Sequence, residues 1–175
     1  MSGPVVVHLI CGPTGAGKTT YARLVAEEAG AVRFSIDEWM SALFWMEAPD
    51  PFLPAWAMER VERSAALIWR TAADICRRGV PCVLEIGLTT AAARARYAGL
   101  AREAGFGVKL HLVDAAVEER WKRVEARNRA PDADQLPFAL TREMFEFVET
   151  LWERPTAAEL AANSGAMVDT GPAHV

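Results

Sequence analysis

Residues 12–19 read Gly-Pro-Thr-Gly-Ala-Gly-Lys-Thr, a full G-x-x-x-x-G-K-[ST] pattern. The run before it, Pro-Val-Val-Val-His-Leu-Ile-Cys at 4–11, is apolar and β-branched, suited to a strand covered on both faces. The segment after it, 20–30, has helical periodicity and closes on Gly30. Strand, glycine loop and helix in that order are the context in which this pattern binds phosphate. The glycines let the backbone curl so that N–H groups turn inward, and the helix N-terminus adds partial positive charge. Gly12, Pro13, Thr14, Gly15, Ala16, Gly17, Lys18, Thr19 and Thr20 would line that cradle. Lys18 would reach the β- and γ-phosphates and the Thr19 hydroxyl would ligate Mg²⁺. The ligand so implied is a nucleoside triphosphate.

Outward from the loop, strand and helix patterns alternate. Strands are predicted at 32–36, 80–86, 108–113 and 166–170. Ser35, with Glu38 three residues on, has capping-box spacing and opens a short helix over 37–44. Prolines at 49, 51 and 54 make 49–54 a loop, and a long helix over 55–78 stops at Gly79. Thr89 or Thr90 caps a helix running to Gly105. Asp114 caps an arginine-rich helix, 129–140 reads as a mobile loop, and helices follow over 141–153 and from Thr156, with Glu159 again at capping-box spacing. This alternation predicts an α/β three-layer sandwich around a five-stranded parallel sheet, with ligands beyond the carboxyl ends of the strands.

At 175 residues the chain reads as a single domain, 1–175, able to bury about 70% of its unfolded surface. With 51% apolar and 24% charged residues it has the composition of a soluble globular protein. A net charge of −4 without a basic stripe argues against stable nucleic-acid binding. Cys11, Cys76 and Cys82 lack metal-ligand spacing and fit a reducing cytoplasm. The N-terminus enters the first strand almost at once, which fits no signal peptide, and no apolar run approaches the ~20 residues of a membrane span. Monomer and homodimer are both compatible with these features.

Residues just past the strands would surround a triphosphate held above the first one. Asp37 follows the second strand, where a carboxylate can accept the proton of an attacking hydroxyl. Its position in the first turn of a helix, beside Glu38, also suits plain macrodipole stabilisation. Glu85 interrupts an apolar strand and calls for a cation, an Mg²⁺-bound water or a substrate as partner, unless the strand ends early and leaves it solvated. Arg123 and Arg127 lie four apart on one helix face, where they could neutralise charge on a transferred phosphoryl group; pairing with Glu119 and Glu125 is the plainer alternative. Trp39, Phe44, Trp45, Phe52 and Trp56 could wall an acceptor pocket or belong to the core. His8, His111 and His174 form no recognisable site.

The phosphate loop, the Ser35–Glu38 turn, and the span from Val83 through Arg94, Arg96 and Gly105 to the Arg123/Arg127 pair resemble the small bacterial P-loop kinases. That group includes chloramphenicol phosphotransferase, zeta toxins and the kinase domain of polynucleotide kinase, and its members are often labelled only as AAA-family ATP-binding proteins. The resemblance, over about residues 5–155, implies a P-loop kinase fold with ATP as donor and Mg²⁺ as cofactor. It implies Asp37 as general base, Lys18, Arg123 and Arg127 as phosphate-binding residues, and a lid over about 127–140. It also implies that Asp169, Thr170, Gly171 and Pro172 lie near the adenine. The acidic position of the third strand is usually followed in the group by a small residue and threonine; here Glu85-Ile86-Gly87 departs from that. The expected activity is transfer of the γ-phosphoryl group of ATP to a hydroxyl of a small molecule such as an antibiotic or metabolite. Rival expectations are a polynucleotide 5′-hydroxyl kinase, a zeta-toxin-like sugar-nucleotide kinase, and a nucleotide-dependent switch or ATPase without an acceptor.

Overall fold

Strands in this chain alternate their side chains between two helical layers, and that parity positions the site. The structure, a computed structural model, describes residues 3–49, 53–129 and 139–171. Five strands pair in parallel in the order β2-β3-β1-β4-β5: β1 (Val6–Cys11), β2 (Val32–Ser35), β3 (Cys82–Glu85), β4 (Gly107–Asp114) and β5 (Ala166–Asp169). Val7, Leu9 and Cys11 of β1, Cys82 and Leu84 of β3, and Leu110 and Leu112 of β4 face one layer. There they meet α2 (Ile36–Leu43), α3 (Pro54–Cys76) and α4 (Ala91–Glu103) through Met40, Ile68, Ala72, Tyr97 and Ala101. Ile10, Val83 and Val113, of opposite parity, face α1 (Lys18–Ala29) through Ala22 and Val25. The result is the three-layer α/β/α sandwich with a five-stranded parallel sheet. Burying a side chain such as Leu84, which has no exposed surface, contributes roughly 1.5–3 kcal/mol.

Helices α5 (Val117–Arg129) and α6 (Arg142–Leu151) meet through Trp121 and the fully buried Phe145, and α7 (Ala157–Ala162) leads into β5. Three threonine caps form: Thr90 accepts from Ala93 N, Thr141 from Met144 N and Thr156 from Glu159 N. Pro54 is not the last loop residue but the start of α3, where its missing N–H costs nothing.

Two caps expected from spacing do not form. Ser35 precedes α2 but is buried and makes no side-chain cap bond, so the capping box there is absent. Asp114 is the last residue of β4, held extended by its register with Asp169 of β5, and so stands too early to cap α5. Its carboxylate instead accepts from Ala115 N at 2.8 Å and pairs with Arg154. The expected loop over 129–140 starts later than predicted, since α5 runs through Arg129. Residues 130–138, most of the expected lid, lie outside the described residues, as do Phe52 and Pro172. At the edge of that segment Asn128 clasps Leu140, donating to its carbonyl at 2.8 Å and accepting from its N–H at 3.0 Å.

Candidate nucleotide and phosphoryl-transfer site

Because every strand is parallel, the carboxyl ends of β1, β2, β3 and β4 open on one edge of the sheet. The loop leaves β1 at that edge, between β3 and β4. Gly12 passes so close to β4 that a Cβ there would stand 2.1 Å from the Val113 carbonyl oxygen. Gly15 has φ +77, and a Cβ on it would meet the Arg120 carbonyl oxygen at 2.5 Å. Gly17, also left-handed, starts α1, which leaves the first amides of the helix aimed across the cradle.

Parity then brings in the carboxylates. Glu85, two residues beyond Val83 on β3, points to the α1 face, and Thr19 Oγ1 donates to its Oε1 at 2.7 Å. Its other oxygen pairs with Arg33 Nη1 at 3.2 Å, and Arg33 also pairs with Glu38. Glu85 is buried at 5% exposure. Burial pushes its carboxyl above the usual range, opposed by the Thr19 hydrogen bond and by the charges of Lys18 and Arg33. The reading of Glu85 as simply solvated at an early strand end is therefore wrong. Thr19 and Glu85 together offer hard oxygen donors of the kind Mg²⁺ selects. Among the described residues no trio of His, Cys, Asp or Glu gathers as a metal cage, so an ion here would draw further ligands from phosphate and water.

Asp37 sits on the first turn of α2, two residues past β2. It opens to solvent while protein stands on its sides, so desolvation pushes its carboxyl up, and the cations of Lys18 and Arg127 oppose that rise. Lys18 Nζ donates to Pro13 O at 2.9 Å. Desolvation lowers the proton affinity of Lys18, with Glu85 and Asp37 pulling the other way. The guanidinium of Arg127 feels the same two influences, desolvation and the facing Asp37. Lys18, Asp37, Glu85 and Arg127 thus share one electrostatic neighbourhood.

Arg123 stands differently. Its guanidinium donates to Thr170 Oγ1 at 2.9 Å, to the Thr170 carbonyl and to Gly15 O at 3.4 Å, so it binds the wall of the loop. The alternative ion pairs of Arg123 with Glu119 and Glu125 do not form; Glu119 bonds Lys122 at 2.8 Å. Glu38, bound to Arg33, does more than stabilise a helix dipole. Arg94 is almost fully buried and grips Glu159 with two bonds, at 2.5 and 3.1 Å, bracing α4 to α7. Trp39 and Phe44 pack against the core as partly buried side chains, and Trp56 lies under Arg60 at 4.2 Å. His8 and His111 are not isolated: His8 Nδ1 lies 3.0 Å from His111 Nε2, whose Nδ1 lies 2.9 Å from the Tyr21 hydroxyl, while His174 lies outside the described residues.

Sequence reasoning passed over Arg33 and Arg120. Arg33 carried a signal, a charge inside a strand whose neighbour carries the opposite charge. Buried Arg120, on Glu149 of α6 at 2.6 Å, carried none.

The sequence model of one family, described as an AAA domain, matches residues 7–151. No curated protein is matched by the sequence. Among solved structures, Chaetomium thermophilum Kti12 in complex with ADP-AlF3 superposes with a TM-score of 0.69 at 14% identity, over 94% of this chain and 89% of that one. The Mycobacterium tuberculosis APS kinase, in complex with AMPPNP and APS, gives 0.62 at 15% identity over 99% and 92%. A gluconokinase from Sinorhizobium meliloti 1021 gives 0.58 at 14% identity over 95% and 82%. At such identities the likeness is one of fold.

Proposed function

This chain belongs to the AAA domain family, and from that premise we propose that it is an ATP- and Mg²⁺-dependent kinase moving the γ-phosphoryl group to a hydroxyl of a small molecule. The observation that carries this reading is the neighbourhood of Asp37: a carboxylate open to solvent, at the mouth of the phosphate loop, under the influence of Lys18 and Arg127. That is what a base facing a bound triphosphate needs. The kinases among the superposed structures support it as analogy of fold.

Asp37 takes the proton of the acceptor hydroxyl. The freed oxygen forms its bond to the γ-phosphorus as the bond to the β–γ bridging oxygen breaks, and ADP leaves. Lys18 and Arg127 stabilise the charge that spreads over the transferring group. Thr19 and Glu85 would hold Mg²⁺, which supplies neutralisation of the phosphates when bound. Arg123 keeps the wall of the loop in place beside the donor. Among the described residues no helix is long and apolar enough to cross a membrane.

The test is a panel of hydroxyl compounds offered with γ-labelled ATP to the wild type and to Asp37→Asn. A kinase passes label to an acceptor, and the variant keeps ATP affinity while losing transfer. Label found only as free phosphate, at equal rates in both proteins, would overturn the proposal in favour of a nucleotide-dependent switch.

A further inference from the structure

Consecutive carbonyl oxygens of the phosphate loop are each taken by a side chain. Pro13 O accepts from Lys18 at 2.9 Å, Thr14 O from Arg120 Nη1 at 3.1 Å, Gly15 O from Arg123 Nη1 at 3.4 Å and Ala16 O from Thr170 Oγ1 at 2.6 Å. A trans peptide unit points its C=O and its N–H in opposite directions. Fixing the carbonyl of Thr14 outward therefore turns the N–H of Gly15 inward, and fixing that of Ala16 does the same for Gly17. The N–H of Ala16, between them, closes a turn on Pro13 O at 3.3 Å.

Both donors are themselves held. Arg120 is 4% exposed and gives its other bonds to Glu149, at 2.7 and 2.6 Å, and to Ala115 O at 3.1 Å. Thr170 follows β5, donates its N–H to Asp114 O at 2.8 Å and accepts from Arg123 at 2.9 Å. Gly15 and Gly17, both at positive φ, are the residues with most freedom to lose the inward orientation.

We propose that Arg120 and Thr170 are positioning residues of the phosphate cradle, which hold two peptide planes of the loop so that the amides of Gly15 and Gly17 face the phosphates. Neither residue needs to touch the donor. The benefit is preorganisation: amides already aimed cost nothing to reorient when the anion arrives. This inference rests on the nucleotide-binding reading above and assigns the last strand of the sheet a part in it.

The experiment uses Thr170→Val, which keeps shape and loses the hydroxyl, and Thr170→Ser, which restores it. Calorimetry measures binding of ATP and of inorganic tripolyphosphate, a probe without a base. Separately, ¹⁵N–¹H spectra of the ligand-free proteins follow the amides of Gly15 and Gly17. Thr170→Val should weaken both ligands about tenfold, Thr170→Ser should recover most of that, and the Gly17 resonance should move only in the valine variant. Unchanged tripolyphosphate affinity with weakened ATP would place Thr170 against the base and overturn the proposal, as would an unmoved Gly17 amide. If the wild type binds neither probe, the nucleotide reading fails, and the amide resonances alone decide whether the loop is held as described. Should Thr170→Val not fold, Arg120→Lys, which keeps charge beside Glu149 but lacks the fork to Thr14 O, must shift the Gly15 amide or the proposal falls.

Discussion

Lowering the pH from 7 to 5 should cost this protein stability through His111 in particular. The imidazole lies on β4 at 2% exposure, between His8 at 3.0 Å and the Tyr21 hydroxyl at 2.9 Å, with Lys109 near enough to act on it. Burial first, then the neighbouring His8 and Lys109, push its pKa from 6.5 down to about 4. The folded protein thus keeps the ring neutral where the unfolded chain would already be protonated. Its contribution is whole above pH 6.5, begins to be lost as pH falls below that, and is gone near pH 4. Each tenfold change in proton affinity is worth about 1.36 kcal/mol, so the full effect is about 3 kcal/mol, of which about 2 kcal/mol is lost by pH 5. His8, lowered by burial in the same direction, adds to the trend. Urea unfolding of wild type and His111→Gln at pH 7, 6 and 5 isolates the term, because carboxylates titrate equally in both. The wild type should lose about 2 kcal/mol more than the variant over this range. Curves that stay parallel within ~0.5 kcal/mol would refute the argument.

Arg127→Met removes a cation facing Asp37; turnover should fall by about 10³-fold or more with a smaller change in ATP affinity, read from kcat and KM separately. Because that cation holds the Asp37 carboxyl down, the acid limb of the variant's rate profile should move to higher pH. Glu85→Gln keeps an acceptor for Thr19 but discards the charge, so the Mg²⁺ concentration needed for half-maximal activity should rise by about tenfold, checked by Mg²⁺ titration at fixed ATP. Gly15→Ala places a Cβ at 2.5 Å from the Arg120 carbonyl oxygen on a left-handed backbone; a lower melting temperature and loss of ATP binding should appear together.

The loop at 12–19 was legible because its chemistry is local: glycine φ freedom, the helix N-terminus and the adjacent lysine and threonine act within a few residues of one another. The strands were legible as apolar runs, and that carried the flag on Glu85, a charge interrupting such a run; the parity that turns it toward α1 came only with the folded sheet. The caps at Thr90 and Thr156 needed only the turn that follows them, whereas Thr141, read as the first residue of a helix, proved to be its cap. Asp114 failed as a cap because pairing with β5, more than fifty residues later in the chain, prolongs β4 through it.

Side chains that meet across distant elements had no such trace. Thr170 reaches Ala16 from 154 residues away, Arg120 reaches Thr14 from 106, and Glu149 is one acid among many on exposed helices until α6 docks beside α5. Periodicity along a segment tells which face will be buried, since water acts on each residue where it stands. The identity of the partner on that face follows from strand order and helix docking, which arise from the cooperative burial of the whole sheet.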